Sequence, residues 1–519
     1  MMSVSRRQFI LGSTALGAGI GLAGLLPAPA RDRPSLPIPK EIRADSGGNI
    51  QLTSQKGTRR FVASGPTNTY GVNGDFLGPT IRVRRGESVT INATNALDED
   101  TTMHWHGLID LGKYDGSPHN VIKPGGTFTA PLNIDQPAAT LWYHPHFYPT
   151  TAELVIKGLA GLFIIDDEES SGLGLPSQWG VDDIPIILQD RRFSTDGNFF
   201  HRMNMVAITT GYIGDYMLVN GANYPVATTA RGWLRLRLLN GSNARSYRIK
   251  ASDNRPLYVI ASDGGLLAEP VELRELQMHS GERFEVMVDA RDGKAFDLVT
   301  LPVKQTGMNL PPFHQPLPLA TISPDGAATN GRLPDSLASM PPLDPNLPKQ
   351  SQNLVMGMRL DDQGMGLLRK AGLMEMNKTG SMDQAVADRV VKLIQDGPAL
   401  SLAAQLSANT VNGESFQLSE TPFEVPIKRN LRWLISEGSD SMLHPVHIHG
   451  CQFRILAIDG AAPPAHIAGW KDIAPISNGG TCEIQVRFEH PASKSTPFMA
   501  HCHILEHEDS GMMTQFSVA

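Results

Sequence analysis

The residues of this chain best suited to chemistry lie near its carboxyl end. There one thiol stands between two imidazoles, in His501-Cys502-His503, and His507 and Met512 follow closely. A thiolate, imidazoles and a weak axial thioether form the trigonal ligand set that electron-transfer copper prefers. The spacing indicates a mononuclear copper site, to which one more histidine must come from elsewhere in the chain.

An upstream segment, residues 444–449 (HPVHIH), supplies that histidine and a further pair. Residues two apart on a strand point to the same face, so His447 and His449 can reach one place together. Two similar pairs lie far away in the sequence: His104 and His106, and His144 and His146.

Each pair taken alone fits an accident of a polar strand or a satisfied core histidine. However, ten of the sixteen histidines fall in the four clusters, and clustered His and Cys are the usual mark of a metal site. Structural zinc is the rival metal, but it normally takes two or more thiolates or one compact set of four ligands. Ten imidazoles around one cysteine exceed what one tetrahedral ion holds, so several copper ions are the better interpretation.

In their order and spacing, the four clusters resemble those of the multicopper oxidases, and the resemblance spans most of the chain. It implies four copper ions, which carry electrons from a reducing substrate to dioxygen. It also implies which residues bind each ion. The expected ligands are His444, Cys502, His507 and Met512 for the type 1 copper, His104 and His447 for the type 2 copper, and His106, His144, His146, His449, His501 and His503 for the type 3 pair.

Two carboxylates, Asp115 and Glu508, match acidic positions that assist proton delivery in the resembling enzymes. Each fits a surface carboxylate as well, but carboxylates near metal sites often orient ligands or act as acid and base. Glu506 and Asp509 are more typical of solvated or capping residues. We expect Asp115 and Glu508 to deliver the protons that dioxygen reduction consumes.

Residues 1–30 have the character of an export signal. Arg6 and Arg7 precede an uncharged stretch rich in Gly, Ala and Leu, which ends at Ala28-Pro29-Ala30. Paired arginines are typical of the twin-arginine (Tat) pathway, the apolar run is shorter than the ~20 residues that cross a bilayer, and the A-x-A end suits cleavage. We predict a periplasmic protein without a stable membrane anchor, although an uncleaved signal would act as one. The formal net charge is −7, and no basic patch for nucleic acid is apparent.

Composition and pattern predict an all-β fold. Fifty glycines and thirty-eight prolines separate short apolar runs, such as residues 88–94 and 234–239, which is typical of β-sandwiches. A length of 519 residues suits three domains of ~150 residues, and the resemblance implies three consecutive cupredoxin-like Greek-key sandwiches. We expect them at residues 31–170, 171–335 and 336–519. The second has no ligand cluster, so its expected role is that of a spacer holding the other two together.

Two cysteines remain once Cys502 is assigned to copper. Cys451 and Cys482 lie in strand-like stretches of the last third. An oxidising compartment would allow them to pair, whereas unpaired cysteines are among the residues most often buried. The sequence leaves both arrangements open.

One segment of the third domain, at about residues 356–395, departs from the β pattern. It contains six of the twenty methionines, and residues 383–395 have helical apolar spacing. Methionines on an amphipathic helix normally pack, but thioethers also select Cu(I). The segment resembles the substrate site of the periplasmic cuprous oxidases, although it has fewer methionines and no His-Met repeats. The expected substrate Cu(I) site consists of Met356, Asp361, Asp440 and Met442.

Three functional hypotheses follow. The first is a cuprous oxidase that converts Cu(I) to Cu(II), reduces dioxygen to water and serves copper tolerance. The second is a laccase that oxidises small phenols, in which the methionine segment only narrows the substrate cleft. The third is a copper-binding or scaffold protein that kept the fold without turnover. For all three we expect a monomer.

Overall fold

The computed structural model describes residues 33–344, 346–347, 351–379, 381–438, 442–477 and 479–519. Residues 1–30, predicted to be the export signal, and Asp440, predicted to bind substrate copper, lie outside these ranges. The described residues form six β-sheets in three successive pairs. This arrangement confirms the predicted all-β fold of three cupredoxin-like domains.

The first pair of sheets has the alternating pattern that the sequence predicted. Val89, Ile91 and Ala93 of one strand point into the core, while the residues between them are partly exposed. One core fills the space between a four-stranded and a five-stranded sheet. The strands are β1 Glu41–Ile42, β2 Asn49–Val62, β3 Gly65–Val72, β4 Thr80–Arg84, β5 Ser88–Asn95, β6 His104–His106, β7 Thr127–Asn133, β8 Ala139–His144 and β9 Gly161–Asp166.

The second pair consists of a six-stranded and a five-stranded sheet. The predicted run at residues 234–239 lies in a strand that is buried along nearly its whole length. The strands are β10 Asp183–Arg191, β11 Tyr216–Val219, β12 Val226–Thr228, β13 Trp233–Asn240, β14 Tyr247–Ala251, β15 Leu257–Ser262, β16 Gly265–Leu273, β17 Leu276–Met278, β18 Arg283–Asp289, β19 Phe296–Thr300 and β20 Leu317–Ser323.

The third pair consists of two five-stranded sheets. Cys451 and Cys482 are both buried here as free thiols, so of the two arrangements the structure contains the unpaired one. The strands are β21 Gln352–Met358, β22 Asn409–Val411, β23 Phe423–Val425, β24 Leu431–Glu437, β25 His444–Ile448, β26 Phe453–Ile458, β27 Ile473–Ile476, β28 Thr481–Val486, β29 Phe498–Cys502 and β30 Met513–Val518.

Helices are short and lie mainly between strands. Among the described residues, none is both long and apolar enough to span a bilayer. The α-helices are α1 Thr151–Lys157, α2 Glu168–Gly172, α3 Met205–Thr210, α4 Asp361–Ala371, α5 Leu373–Thr379, α6 Gln384–Asp396, α7 Leu402–Leu406 and α8 Leu505–Glu508, with single 3₁₀ turns at Gly112–Tyr114 and Ala465–Ile467.

The methionine segment forms helices α4, α5 and α6. Asp383 caps α6 by accepting hydrogen bonds from the backbone N–H groups of Ala385 and Val386, which explains why the predicted helix begins there. Met356 and Met358 instead lie on strand β21, because this strand pairs with β22 and β24. The helical part of this segment therefore begins at Asp361, later than the predicted start at about residue 356.

Candidate metal centre

Two pairs of antiparallel strands, one from the first domain and one from the third, carry most of the histidines. His104 on β6 is directly opposite His144 on β8, and His447 on β25 is directly opposite His501 on β29. Side chains directly opposite one another on the same face of an antiparallel pair are neighbours. The fold thus converts four distant sequence clusters into one buried cluster between two domains.

Eight imidazoles meet at this cluster, with ring nitrogens close enough to share metal ions. The His501 Nε2 atom lies 3.2 Å from His146 Nε2 and 3.1 Å from His449 Nε2. On the other side, His106 Nδ1 lies 3.4 Å from His144 Nε2. The remaining histidines of the cluster are His104, His447 and His503; all eight are buried.

Backbone carbonyls hold the outer nitrogens of several of these rings. The Nδ1–H group of His104 donates to the Asp115 carbonyl oxygen at 2.7 Å, and that of His447 donates to the Asp472 carbonyl oxygen at 2.9 Å. His144 bonds in the same way to the carbonyl of Pro145, at 2.8 Å. A proton fixed on Nδ1 leaves a lone pair on Nε2, which is the form that binds metal.

The inward nitrogens match what a metal would require. In the part of the chain that the structure describes, Nε2 of His104, His447 and His503 is buried without a hydrogen-bond partner. Burial and the neighbouring imidazoles lower the pKa of most of these rings well below its usual value, so they stay neutral. The rings so affected are His106, His144, His146, His447, His449 and His503. Neutral, unsatisfied imidazole nitrogens in a closed pocket fit copper ions.

A second, smaller set lies around the thiol of Cys502. Its Sγ atom is 3.5 Å from His444 Nδ1 and 3.6 Å from His507 Nδ1, and all three residues are fully buried. Helix α8 carries His507, whose Nε2 faces the carbonyl of Thr209 at 3.3 Å. Met512 is also fully buried, and its carbonyl accepts a hydrogen bond from the backbone N–H of Cys502. The set has the composition of a mononuclear blue-copper site.

The two carboxylates predicted to deliver protons are buried beside the imidazole cluster, not at the surface. Asp115 Oδ2 accepts from His449 Nδ1 at 2.8 Å, and burial raises the pKa of Asp115 to about 6. The Glu508 carboxylate lies between two rings, 3.4 Å from His146 Nδ1 and 3.2 Å from His501 Nδ1. Both positions suit groups that exchange protons with the cluster.

The neighbouring acids differ in role. Asp509 caps α1 by accepting from the backbone N–H groups of Thr151 and Ala152, at 3.0 and 2.8 Å. Glu506 is not solvated: it is fully buried and accepts from Tyr212 N at 3.0 Å and Asn243 Nδ2 at 2.8 Å. Both carboxylates join the segment that carries Cys502 and His507 to the other domains.

Sequence reasoning missed the groups that the second domain contributes. Arg283 on β18 pairs with Asp472, and Asp472 Oδ1 lies 3.0 Å from His106 Nε2. Ser280 Oγ lies 3.2 Å from His503 Nδ1. The second domain is therefore more than a spacer. The available signal was the charged pair Lys471-Asp472 within an apolar stretch, since buried charges need partners.

Two methionines of the helical insertion line a cavity that also borders the residues just before His444. Met442, two residues before His444, lines a cavity of about 380 Å³ together with Met376, Met382 and His314. Met356 is fully buried on β21 and Asp361 begins α4, and neither lines this cavity. Of the four residues predicted for substrate copper, the structure therefore places one, Met442, at the cavity.

Comparisons with known proteins agree with this geometry. Three family models, each described as multicopper oxidase, match residues 53–170, 193–327 and 393–519. Multicopper oxidase mco of Staphylococcus haemolyticus is 35% identical over 483 residues, which cover 92% of this chain and 90% of that protein. Cell division protein FtsP of Proteus mirabilis is 33% identical over 528 residues, covering 100% and 99%. A solved structure of a bacterial laccase-like multi-copper oxidase, CueO, from Ochrobactrum sp. is 36% identical, with a TM-score of 0.79 and coverage of 93% and 100%.

Proposed function

Because the chain belongs to the multicopper oxidase family, we propose that it couples one-electron oxidation of Cu(I) to the four-electron reduction of dioxygen to water. The observation that carries this proposal is the pairing of two buried donor sets through one peptide segment. Cys502 belongs to the smaller set, while His501 and His503, its covalent neighbours, belong to the larger. A site with this connection can accept electrons singly and deliver them together.

The ligand assignment follows from the geometry and the family. His444, Cys502, His507 and Met512 would hold the type 1 copper. His104 and His447 would hold the type 2 copper, and the six other histidines of the cluster would hold the type 3 pair. The bound copper ions would supply the redox chemistry. The protein supplies neutral imidazoles in fixed orientations and a closed cavity.

Proton delivery is the second task of the chain's own residues. Asp115 contacts His449 directly, and its backbone carbonyl holds His104, so one residue reaches two rings of the cluster. Glu508 lies between two other rings. A pKa of about 6 allows Asp115 to both take up and release a proton near neutral pH. We assign both carboxylates to proton transfer.

Cu(I) as substrate is supported by the donors of the cavity. Met376, Met382 and Met442 line it, and so does His314, whose Nδ1 atom is buried without a hydrogen-bond partner among the described residues. Thioethers and imidazole suit Cu(I). Met442 is also close in sequence to His444, which belongs to the electron-accepting set. The contribution of Met356, Asp361 and Asp440 to this site stays a proposal.

Two other functions have specific observations in their favour. The cavity volume falls in the range of small-molecule sites, and the Ochrobactrum relative has oxidase activity towards lignin model compounds and lignosulfonate. A laccase acting on phenols is therefore the first alternative. Relatives named for cell division cover the whole chain, so a scaffold role without turnover is the second.

In each case we propose a monomer exported to the periplasm through the twin-arginine pathway.

Steady-state oxygen uptake distinguishes these functions. The purified protein is assayed with Cu(I), with a phenol alone and with a phenol plus added Cu(II). A cuprous oxidase consumes oxygen with Cu(I) and depends on added copper for phenol oxidation. Phenol oxidation that is fast without added copper, and unchanged by it, would favour the laccase. A copper-loaded blue protein that consumes no oxygen would favour the scaffold.

A further inference from the structure

We infer that Asp472, held in place by Arg283 of the second domain, is a positioning residue that makes His106 present Nδ1 to the metal centre. The inference rests on the proposed function, because it concerns a ligand of the proposed type 3 pair. It assigns to the second domain a part in shaping that site.

His106 faces the opposite way from its neighbours. His104, His144 and His447 each direct Nδ1 outward to a backbone carbonyl, which leaves Nε2 for the interior. In His106 the outward atom is Nε2, 3.0 Å from Asp472 Oδ1, and the inward atom is Nδ1, 3.4 Å from His144 Nε2. Both oxygens of Asp472 accept from the Arg283 guanidinium, which can only donate, so Oδ1 acts as an acceptor towards His106 as well. The proton of His106 therefore belongs on Nε2, and the lone pair on Nδ1.

Arg283 fixes the carboxylate that makes this selection. It is fully buried and donates from Nη1 to Asp472 Oδ1 at 2.7 Å and from Nη2 to Asp472 Oδ2 at 2.5 Å. Its remaining donors reach the carbonyls of Thr140, Gly281 and Asp263, at 3.1, 3.0 and 3.0 Å. All five N–H groups of the guanidinium are thus satisfied. Bidentate pairing of this kind sets orientation as well as energy.

The backbone at Gly107 leaves room for the Arg283–Asp472 pair. Gly107, directly after His106, has a φ of +89°, and a Cβ atom there would lie 2.6 Å from Asp472 Oδ2 and 2.7 Å from Arg283 Nη2. A side chain at this position would displace the pair from His106. Glycine is therefore required both by the conformation and by the close approach.

An adjoining buried network provides the matched control. Lys471 Nζ lies 2.6 Å from Glu282 Oε1 and 2.9 Å from Asp263 Oδ2. The other Glu282 oxygen accepts from the backbone N–H of His279. Within the described ranges, no hydrogen bond joins Glu282 to a proposed copper ligand. Glu282→Gln and Asp472→Asn each replace a buried carboxylate of this network by an amide. They differ in that Asp472 contacts His106 and Glu282 does not.

The experiment uses the copper-loaded full chain with three variants: Asp472→Asn, Arg283→Lys and Glu282→Gln. Copper content per chain, the blue band and the EPR-visible share of total copper are measured for each. Two magnetically coupled Cu(II) ions give no EPR signal, so disturbance of the type 3 pair raises that share. Melting temperatures of the copper-free proteins report whether each variant folds.

We expect Asp472→Asn and Arg283→Lys to keep the blue band, to bind copper at the cluster about 10–100-fold more weakly and to show a larger EPR-visible share. Glu282→Gln should match the wild type in all three measurements. Equal behaviour of all three variants, whether unchanged or equally impaired, would overturn the positioning role. If Asp472→Asn does not fold, Arg283→Lys decides by the same criteria. A folded wild type that binds no copper would overturn the proposed function and, with it, this inference.

Discussion

At the scale of single residues, Cys502 connects the two donor sets. Its Sγ atom faces two imidazole nitrogens, and the backbone N–H of Ile504 also points to it, at 3.4 Å. Such a donor stabilises a thiolate, the form that binds metal. The residues on either side of it belong to the larger cluster. Within the part of the chain that the structure describes, Cys502 is therefore the covalent link between the two donor sets.

Replacement of Cys502 by serine should abolish both colour and turnover, because the thiolate gives blue copper its intense band and begins the covalent route to His501 and His503. Absorption spectra and oxygen uptake of the purified variant are the measurements. Serine is close in size, so the fold should survive. A variant that kept its absorption at roughly 600 nm would contradict the assignment of Cys502 as the copper thiolate.

Asp115→Asn should slow reoxidation of the reduced enzyme by roughly 100-fold, since the amide holds His449 but transfers no proton. Reduction, followed by bleaching of the blue band, should keep its wild-type rate. Stopped-flow spectroscopy in both directions makes the comparison. Asp110 is a suitable control: it is nearby and buried, and burial raises its pKa to about 6 as well, yet its hydrogen bond is to the backbone of Leu111. Equal reoxidation rates in Asp115→Asn and Asp110→Asn would remove Asp115 from proton delivery.

At the scale of elements, helices α4 to α6 and strand β21 distribute the methionines over two environments. Met356 and Met358 pack within the sheet, whereas Met376 and Met382 reach the cavity that Met442 lines. Residues that line the cavity can contribute ligands to an ion within it, and Met356 and Met358 do not line it. The cavity methionines therefore fit Cu(I) binding better than those on β21.

The double variant Met376→Leu/Met442→Leu, at two methionines that line the cavity, should lose most Cu(I) oxidation and keep oxidation of a bulky one-electron donor assayed without added copper. Leucine preserves volume, so the cost in stability should stay below ~1.5 kcal/mol, and the four proposed type 1 ligands are untouched. Met365→Leu on α4, which is partly buried outside the cavity, serves as the control. Asp361→Ala/Asp440→Ala should behave like the methionine pair if those carboxylates share the site. Cu(I) oxidation with wild-type affinity in both double variants would favour the laccase.

Much of the fold and of the metal site was predictable from local patterns. The alternation in β5 and the cap at Asp383 are local signals, and the His-X-His pairs required only the two-residue period of a strand. The contacts of Asp472 with Arg283 and His106 join residues 189 and 366 positions apart. Such contacts depend on how three domains pack, and no local pattern encodes that.

At the scale of the whole molecule, buried charges join the domains. Glu285 of the second domain accepts from Thr140 of the first at 2.7 Å and from Arg237 and Arg235 at 2.9 and 2.7 Å. Burial alone would raise the pKa of Glu285, but the two guanidinium groups outweigh it and lower the pKa to about 2. Together with the Arg283–Asp472 pair, this network places the second domain in contact with both others.

The lowered pKa of Glu285 predicts that the interface between the first two domains is sensitive to acid. A carboxylate whose pKa falls on folding stabilises the folded protein above its unfolded pKa, and this stabilisation is lost as the pH falls towards 2. The difference between this pKa and that of an unperturbed glutamate corresponds to roughly 3 kcal/mol of folding stability. Glu285→Gln should lower the melting temperature at pH 6, and the gap to wild type should narrow between pH 4.5 and pH 2.5. Thermal melts of the copper-free proteins test this. A gap that stays constant with pH would show that Glu285 is not ionised in the fold.

The central claim is that this chain completes the reduction of dioxygen with electrons taken singly from Cu(I). The most direct measurement is the ratio of Cu(I) oxidised to dioxygen consumed, recorded together with any hydrogen peroxide formed. The proposed function predicts a ratio of four, no peroxide, and loss of uptake in Cys502→Ser. A ratio of two with accumulating peroxide, or uptake that survives in Cys502→Ser, would contradict it.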